Sequence, residues 1–197
     1  MHLYLSSGKA WRGDFATEDG RVLYKTMSPR VSIGGGPISI TKLQRESGNS
    51  VDNYVPLAEI QYYTKIRLNK LRFKKSTIKI GNTDIAAKDL LKVGHTKLWT
   101  TGYGERNYDA PDGKQYTWKI GINKCNLFLK DTETLVATFH RKNILSRGVE
   151  TASLEIFSLG EHMVDEIIIT FVYMERLRKE ELRTRFSAAG DKIGGSD

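Results

Sequence analysis

The residues of this chain best suited to chemistry, by type and spacing, are cations. Lys65, Arg67, Lys70, Arg72, Lys74, Lys75 and Lys79 fall in one stretch that holds no acidic residue. On a twisted hairpin they form a basic stripe with Tyr62 and Tyr63 beside it. Such a stripe takes anions. Each cation near a membrane contributes about 1 kcal/mol toward acidic lipid. On nucleic acid the same groups pair with phosphates, and binding becomes steeply salt-dependent. The competing reading is a set of solvated outward residues guarding a sheet edge, where lysine is favoured.

The remaining reactive side chains do not assemble into a motif. His2, His95, His140 and His162 are widely spaced, and none belongs to a His-x-His or His-Glu-x-x-His pattern. Two of them meeting in space could serve acid–base chemistry. Gly34-Gly35-Gly36-Pro37 and Thr101-Gly102-Tyr103-Gly104 could offer backbone N–H groups to an anion. Neither leads into a Lys-Ser/Thr and a helix, so neither is a P-loop, and both read as hairpin turns. Cys125 is the single cysteine. Lys124 beside it could lower its pKa, but no oriented base is visible, and an inert buried thiol is the default. The sequence thus predicts no catalytic set, no metal site and no cofactor. The alternative is a small-molecule binder or enzyme with a pocket near His95, Tyr103 and Arg106.

The bulk charge agrees with an anionic partner. Thirty-one Lys and Arg against 23 Asp and Glu give +8 and a pI near 9.5, a field that draws nucleic acid, acidic headgroups or phosphorylated ligands. One cysteine excludes an internal disulfide and any paired-cysteine zinc motif. The first residues are too short in apolar length for a signal peptide, and His2 stands where myristoylation needs glycine. The expectation is a cytoplasmic protein, peripheral at membranes, with the nucleus as alternative.

Two kinds of element must position these groups. Most of the chain reads as short strands with hairpin turns: Asp19-Gly20 before Arg21–Lys25, and Ala110-Pro111-Asp112-Gly113 before Tyr116–Ile122. In the latter strand Tyr116, Trp118 and Ile120 share one face. Arg45 to Asn53 reads as a surface loop, and Asp84 to Val93 as a short helix capped by Asp84 and ended by Gly94. Near the C-terminus stands an apolar block, Ile167-Ile168-Ile169-Thr170-Phe171-Val172-Tyr173-Met174, with Asp165 and Glu166 before it and Arg176, Arg178 and Lys179 after it. Acids at the start and bases at the end suit a helix macrodipole. A helix that is apolar all round must be buried, and this block is shorter than the roughly 18 apolar residues of a membrane span. The expected helix covers about Asp165 to Arg183, with the strands closed around it. It fills the interior, so Trp11, Trp99 and Trp118 are core or rim aromatics and any site lies outside or at a mouth.

The order of pieces resembles the tubby-like C-terminal superfamily, which includes tubby proteins, phospholipid scramblases and LURP-one-related proteins. The residues that carry the likeness are Tyr116-Thr117-Trp118-Lys119, Leu127-Phe128-Leu129-Lys130-Asp131, Val136-Ala137-Thr138-Phe139, Leu154-Glu155-Ile156 and Asp165–Val172. The pattern and length are most similar to an uncharacterised fungal branch. The resemblance implies a mainly β fold: a closed antiparallel β-barrel of about twelve strands around a central hydrophobic C-terminal helix, with one short extra helix. The likeness runs from about Tyr116 to Arg178; the expected domain covers residues 1–186, and the Gly-, Ser-, Ala- and Asp-rich composition from Ser187 predicts a disordered tail at 187–197. The resemblance also implies binding of phosphoinositide or acidic membrane lipid without catalysis.

Overall fold

The computed structural model describes residues 1–29, 35–44, 52–63, 75–94, 104–141 and 151–193, with backbone alone from 185 on. Its strands are β1 (His2–Leu5), β2 (Gly13–Ala16), β3 (Val22–Met27), β4 (Gly35–Gln44), β5 (Asn53–Tyr63), β6 (Thr77–Ile80), β7 (Thr83–Ala86), β8 (Leu91–Val93), β9 (Gly104–Asp109), β10 (Gln115–Ile120), β11 (Cys125–Leu129), β12 (Thr134–His140) and β13 (Ser153–Ile156). They make one 13-stranded antiparallel sheet in the order β7-β6-β5-β4-β3-β2-β1-β13-β12-β11-β10-β9-β8. Neighbours follow the chain, as short connections require, except where β1 meets β13. That ladder, Leu3 opposite Leu154, joins the two halves of the sheet. The β6–β7 hairpin closes through Gly81 and Asn82, and Gly81 takes the left-handed φ of +58° that such a turn needs.

Period-two alternation decides which face is core. Leu3 and Leu5, Ile38 and Ile40, Ile60 and Tyr62, Tyr116, Trp118 and Ile120, and Leu154 and Ile156 are all buried. They close on one helix. A 3-10 turn, Ser158–Met163, feeds it through Gly160, where a Cβ would lie 2.8 Å from Val136 Cγ1 and 2.9 Å from Ile167 Cδ1. Among the described residues there are two α-helices, α1 (Ala87–Leu90) between β7 and β8, and α2 (Val164–Ile193) after the last strand. Every residue of α2 from Ile167 to Glu175 is buried, so the helix is covered on all sides. Phe171 alone touches three strands, meeting Phe15 on β2, Trp118 on β10 and Phe139 on β12. At the start of α2, Asp165 accepts hydrogen bonds from Tyr24 on β3 and Lys42 on β4, each at 2.6 Å. The sheet therefore curls around the first half of α2. Its ladder is nonetheless open: β7 and β8 are its edges, bridged by α1 rather than by strand pairing. No described helix is long and apolar enough to cross a membrane.

Several local expectations are corrected. The helix expected from Asp84 to Val93 shrinks to the four residues of α1. Asp84 and Ile85 pair with Lys79 and Ile78, and Leu91 with Tyr108, so ladder pairing overrides the helical propensity on both flanks. Gly35, Gly36 and Pro37 belong to β4 and pair with Tyr63, Tyr62 and Gln61, so they are strand and not turn. Asn53, assigned to a loop, opens β5. The α2 backbone continues to Ile193 through Ser187-Ala188-Ala189, where a disordered tail was expected; small helix-tolerant residues extend a helix already nucleated by its buried half.

Candidate functional site

Among the described residues, side chains fill the interior around the first half of α2. Trp118 is buried, and its Nε1 donates to Thr170 Oγ1 at 3.1 Å. Thr170 in turn donates to Glu166 O at 2.7 Å, a bond to the preceding turn that leaves the indole satisfied inside the core. Trp11 is buried as well, while Trp99 lies outside the described residues. Cys125 is buried, and burial pushes its thiol well above the usual range, so no thiolate nucleophile is present.

β5 runs alongside α2: its first residues lie level with Lys42, which holds Asp165, and its last meet the buried end of the helix. There Tyr62 packs on Tyr173 with ring centroids 5.8 Å apart, and the Arg176 guanidinium lies 4.8 Å from the Trp11 ring and 5.3 Å from that of Tyr62. These distances fit cation–π contacts. Tyr62, expected beside the basic stripe, is thus a core residue with a stacked arginine. Two residues on, Arg178 is 1% exposed, and its guanidinium donates to both Glu175 carboxylate oxygens at 2.6 and 3.0 Å and to Ile122 O at 2.9 Å. Beyond it Lys179 and Arg183 are exposed as α2 leaves the sheet, and Arg183 faces Glu180 at 3.6 Å.

The described flanks of the basic stretch, Tyr63 and Ser76, meet at this same exit end. Tyr63 N donates to Ser76 Oγ at 3.1 Å, so the chain leaves β5 and returns to β6 at one place. Lys75 and Lys79 are exposed, and Lys79 stands opposite Glu59 across the β5–β6 ladder. Lys65, Arg67, Lys70, Arg72 and Lys74 lie outside the described residues, as do His95 and Tyr103 of the alternative pocket. Arg106, the third member of that pocket, is turned inward: it donates to Glu105 O at 2.9 Å and faces Glu181 at 3.8 Å. Its charge is already paired.

Two features stand on the outer face of the sheet. An open groove of about 340 Å³ is lined by Asn107, Thr117, Lys119, Phe128 and Glu133, among others. Thr117 donates to Asn107 at 2.9 Å, and Lys119 pairs with Glu133 at 3.0 Å while lying over the Phe128 ring. Its polar groups satisfy one another and leave no focused charge. The second is a cluster that sequence spacing could not show: His2 on β1, His140 on β12 and Glu155 on β13 converge, with both imidazole Nε2 atoms against Glu155 Oε2 at 3.3 and 2.8 Å. Those bonds, the one from His140 foremost, hold the Glu155 carboxyl below its usual range. His162, in the turn that leads into α2, lies 3.0 Å from Asp112, which also accepts from Tyr116 at 2.7 Å.

Residues 9–180 match the family described as a family of unknown function (DUF6593). No curated protein and no solved structure matches the chain.

Proposed function

The chain belongs to that family of unknown function, and we propose that it is a non-enzymatic binding domain for an anionic surface, acidic membrane lipid including phosphoinositide, engaged through the end where α2 leaves the sheet. The observation that carries this reading is the bond between Tyr63 N and Ser76 Oγ. It brings together the two described flanks of a segment with six bases and no acid, Lys65 to Lys75, near the end where Lys179 and Arg183 are exposed. In this reading the cations of that segment add their field to that of the helix end. The filled core supports binding at the surface, and the paired Arg106 argues against the pocket near His95 and Tyr103. The tubby-like relationship belongs to the same reading and supplies the class of ligand. So does closure of the sheet into a barrel in outline, since β7 and β8 are consecutive in the chain and four residues of helix separate them.

The test is co-sedimentation with vesicles of acidic or neutral lipid across a salt series. Acidic vesicles bind, neutral ones do not, and salt weakens binding. Replacing Lys70, Arg72, Lys74 and Lys75 with Ser removes about 4 kcal/mol at about 1 kcal/mol per cation, roughly a thousandfold in partitioning. The same change in net charge at Lys9, Lys88, Lys114 and Lys124, all exposed, has a much smaller effect. Equal losses from both variants indicate a nonspecific charge effect. DNA that binds more tightly than acidic vesicles and displaces them indicates a nucleic-acid partner instead.

A further inference from the structure

The cluster of His2, His140 and Glu155 sits on the seam between the two halves of the sheet. His2 is in register with Glu155 across β1–β13, and His140 lies two residues along β12 from Thr138, which is also in register with Glu155. Their chain neighbours Leu3, Phe139 and Leu154 are buried, so the pleat turns all three side chains outward. The three donor atoms lie within 4.8 Å of one another, and the imidazole centroids are 5.9 Å apart. We propose that these residues form a binding site for a divalent transition-metal ion of the zinc class, which staples the first strand of the chain to the last two.

The donor set selects the class of ion. Two imidazole nitrogens and one carboxylate oxygen suit Zn²⁺ and its neighbours Co²⁺, Ni²⁺ and Cu²⁺, whereas Ca²⁺ and Mg²⁺ require oxygen. The spacing is close to what such an ion imposes. Tetrahedral bonds of roughly 2.0–2.1 Å place donors roughly 3.3 Å apart. The His2–Glu155 separation is already 3.3 Å, and that of His140 and Glu155 is 2.8 Å. The side chains are partly exposed, at 38%, 50% and 29% for His2, His140 and Glu155, so small rotations can open the shorter gap and close the imidazole pair. Both rings already present Nε2 to the same point, which leaves each Nδ1 to carry its proton when a metal is bound. Among the described residues Glu155 forms no ion pair with a lysine or arginine that would compete. Three protein ligands leave a fourth position for water. Because β1–β13 is the single ladder joining β1–β7 to β8–β13, an ion here would hold the halves together.

The test uses the full untagged chain, freed of metal by a chelator, with Zn²⁺ and Co²⁺ as probes. One equivalent of Zn²⁺ binds, and at a hundredfold excess over Kd the Tm rises by about 5–10 °C for a chain of this size. Bound Co²⁺ gives the intense visible absorption of a four-coordinate site, a readout that needs no variant. His140→Ala and Glu155→Gln abolish the Zn²⁺-dependent rise, and His162→Ala retains it. The proposal is overturned if wild type shows no saturable Zn²⁺ binding, if bound Co²⁺ keeps the pale spectrum of a six-coordinate aquo ion, or if the rise survives His140→Ala.

Discussion

Phe171→Ala puts the central role of α2 to a quantitative test. Phe171 is fully buried, and its ring contacts those of Phe139, Trp118 and Phe15 at centroid distances of 5.0, 6.1 and 6.2 Å. These partners sit on strands from both halves of the sheet, so none can move into the vacated space without carrying its ladder along. Phe-to-Ala substitutions in cores cost about 3–5 kcal/mol, and sites that cannot collapse lie at the upper end. A loss of about 4–5 kcal/mol is therefore expected, a large part of the roughly 5–15 kcal/mol that holds a domain folded. At about 2–4 °C per kcal/mol for a chain of this length, the Tm should fall by roughly 8–20 °C. Urea unfolding followed by tryptophan fluorescence gives the free energy directly, with the m-value expected unchanged. A loss below about 1 kcal/mol at constant m would refute the packing argument, since values that small belong to exposed positions.

Three further perturbations follow from the same core. Thr170→Val keeps the shape but leaves the buried Trp118 N–H without an acceptor; it should cost about 1–3 kcal/mol in denaturant titration, with Thr170→Ser close to wild type. Glu175→Gln breaks the buried fork with Arg178 and should cost about 3–5 kcal/mol; the double variant Glu175→Leu/Arg178→Met, which removes both charges, should recover most of it in the same melt. Stability should fall in acid. The His140 and His2 bonds hold Glu155 below its usual 4.5. At Asp112 burial raises the carboxyl, but bonds from the Lys114 N–H, Tyr116 and His162 outweigh it and leave it below 3.8. The unfolded chain then binds more protons in that window, so this stability is complete above the usual values and is lost as pH falls below them. Melts from pH 6 to pH 3 should show the acid limb flattened in Asp112→Asn/Glu155→Gln, and an unchanged slope would remove both groups from the account.

The sequence carried the fold where period and turn chemistry acted locally. The block Ile167–Met174 reads as a buried helix from its flanking acids and bases, although its β-branched residues also suit a strand, the Asp19-Gly20 turn leads into β3, and Tyr116, Trp118 and Ile120 alternate onto one face as strand geometry demands. Long-range pairing was not legible. Asp84 and Leu91 look helical until β6 and β9 lie beside them. In sequence Arg178 is one of several bases at a helix end; only the third dimension shows Ile122 O and Glu175 closing around it. His2, His140 and Glu155 meet because β1 pairs with β13, a register no spacing rule encodes. The charge run from Lys65 to Lys79 was plain in the sequence, but not where Tyr63 and Ser76 meet, which depends on β5 running alongside α2 toward its exit.

Engagement of an anionic surface by the exit end of α2 can be measured with a dye, because the native Cys125 is out of reach. An environment-sensitive dye can be attached selectively at Lys179→Cys, on the exit end, or at Lys114→Cys, next to the contact of Asp112 with His162 in the turn that leads into α2. On titration with acidic vesicles the dye at 179 should shift to the blue with a salt-dependent midpoint, while the dye at 114 stays in water. A shift at 114 with none at 179, or no shift at either site at low salt, would contradict it.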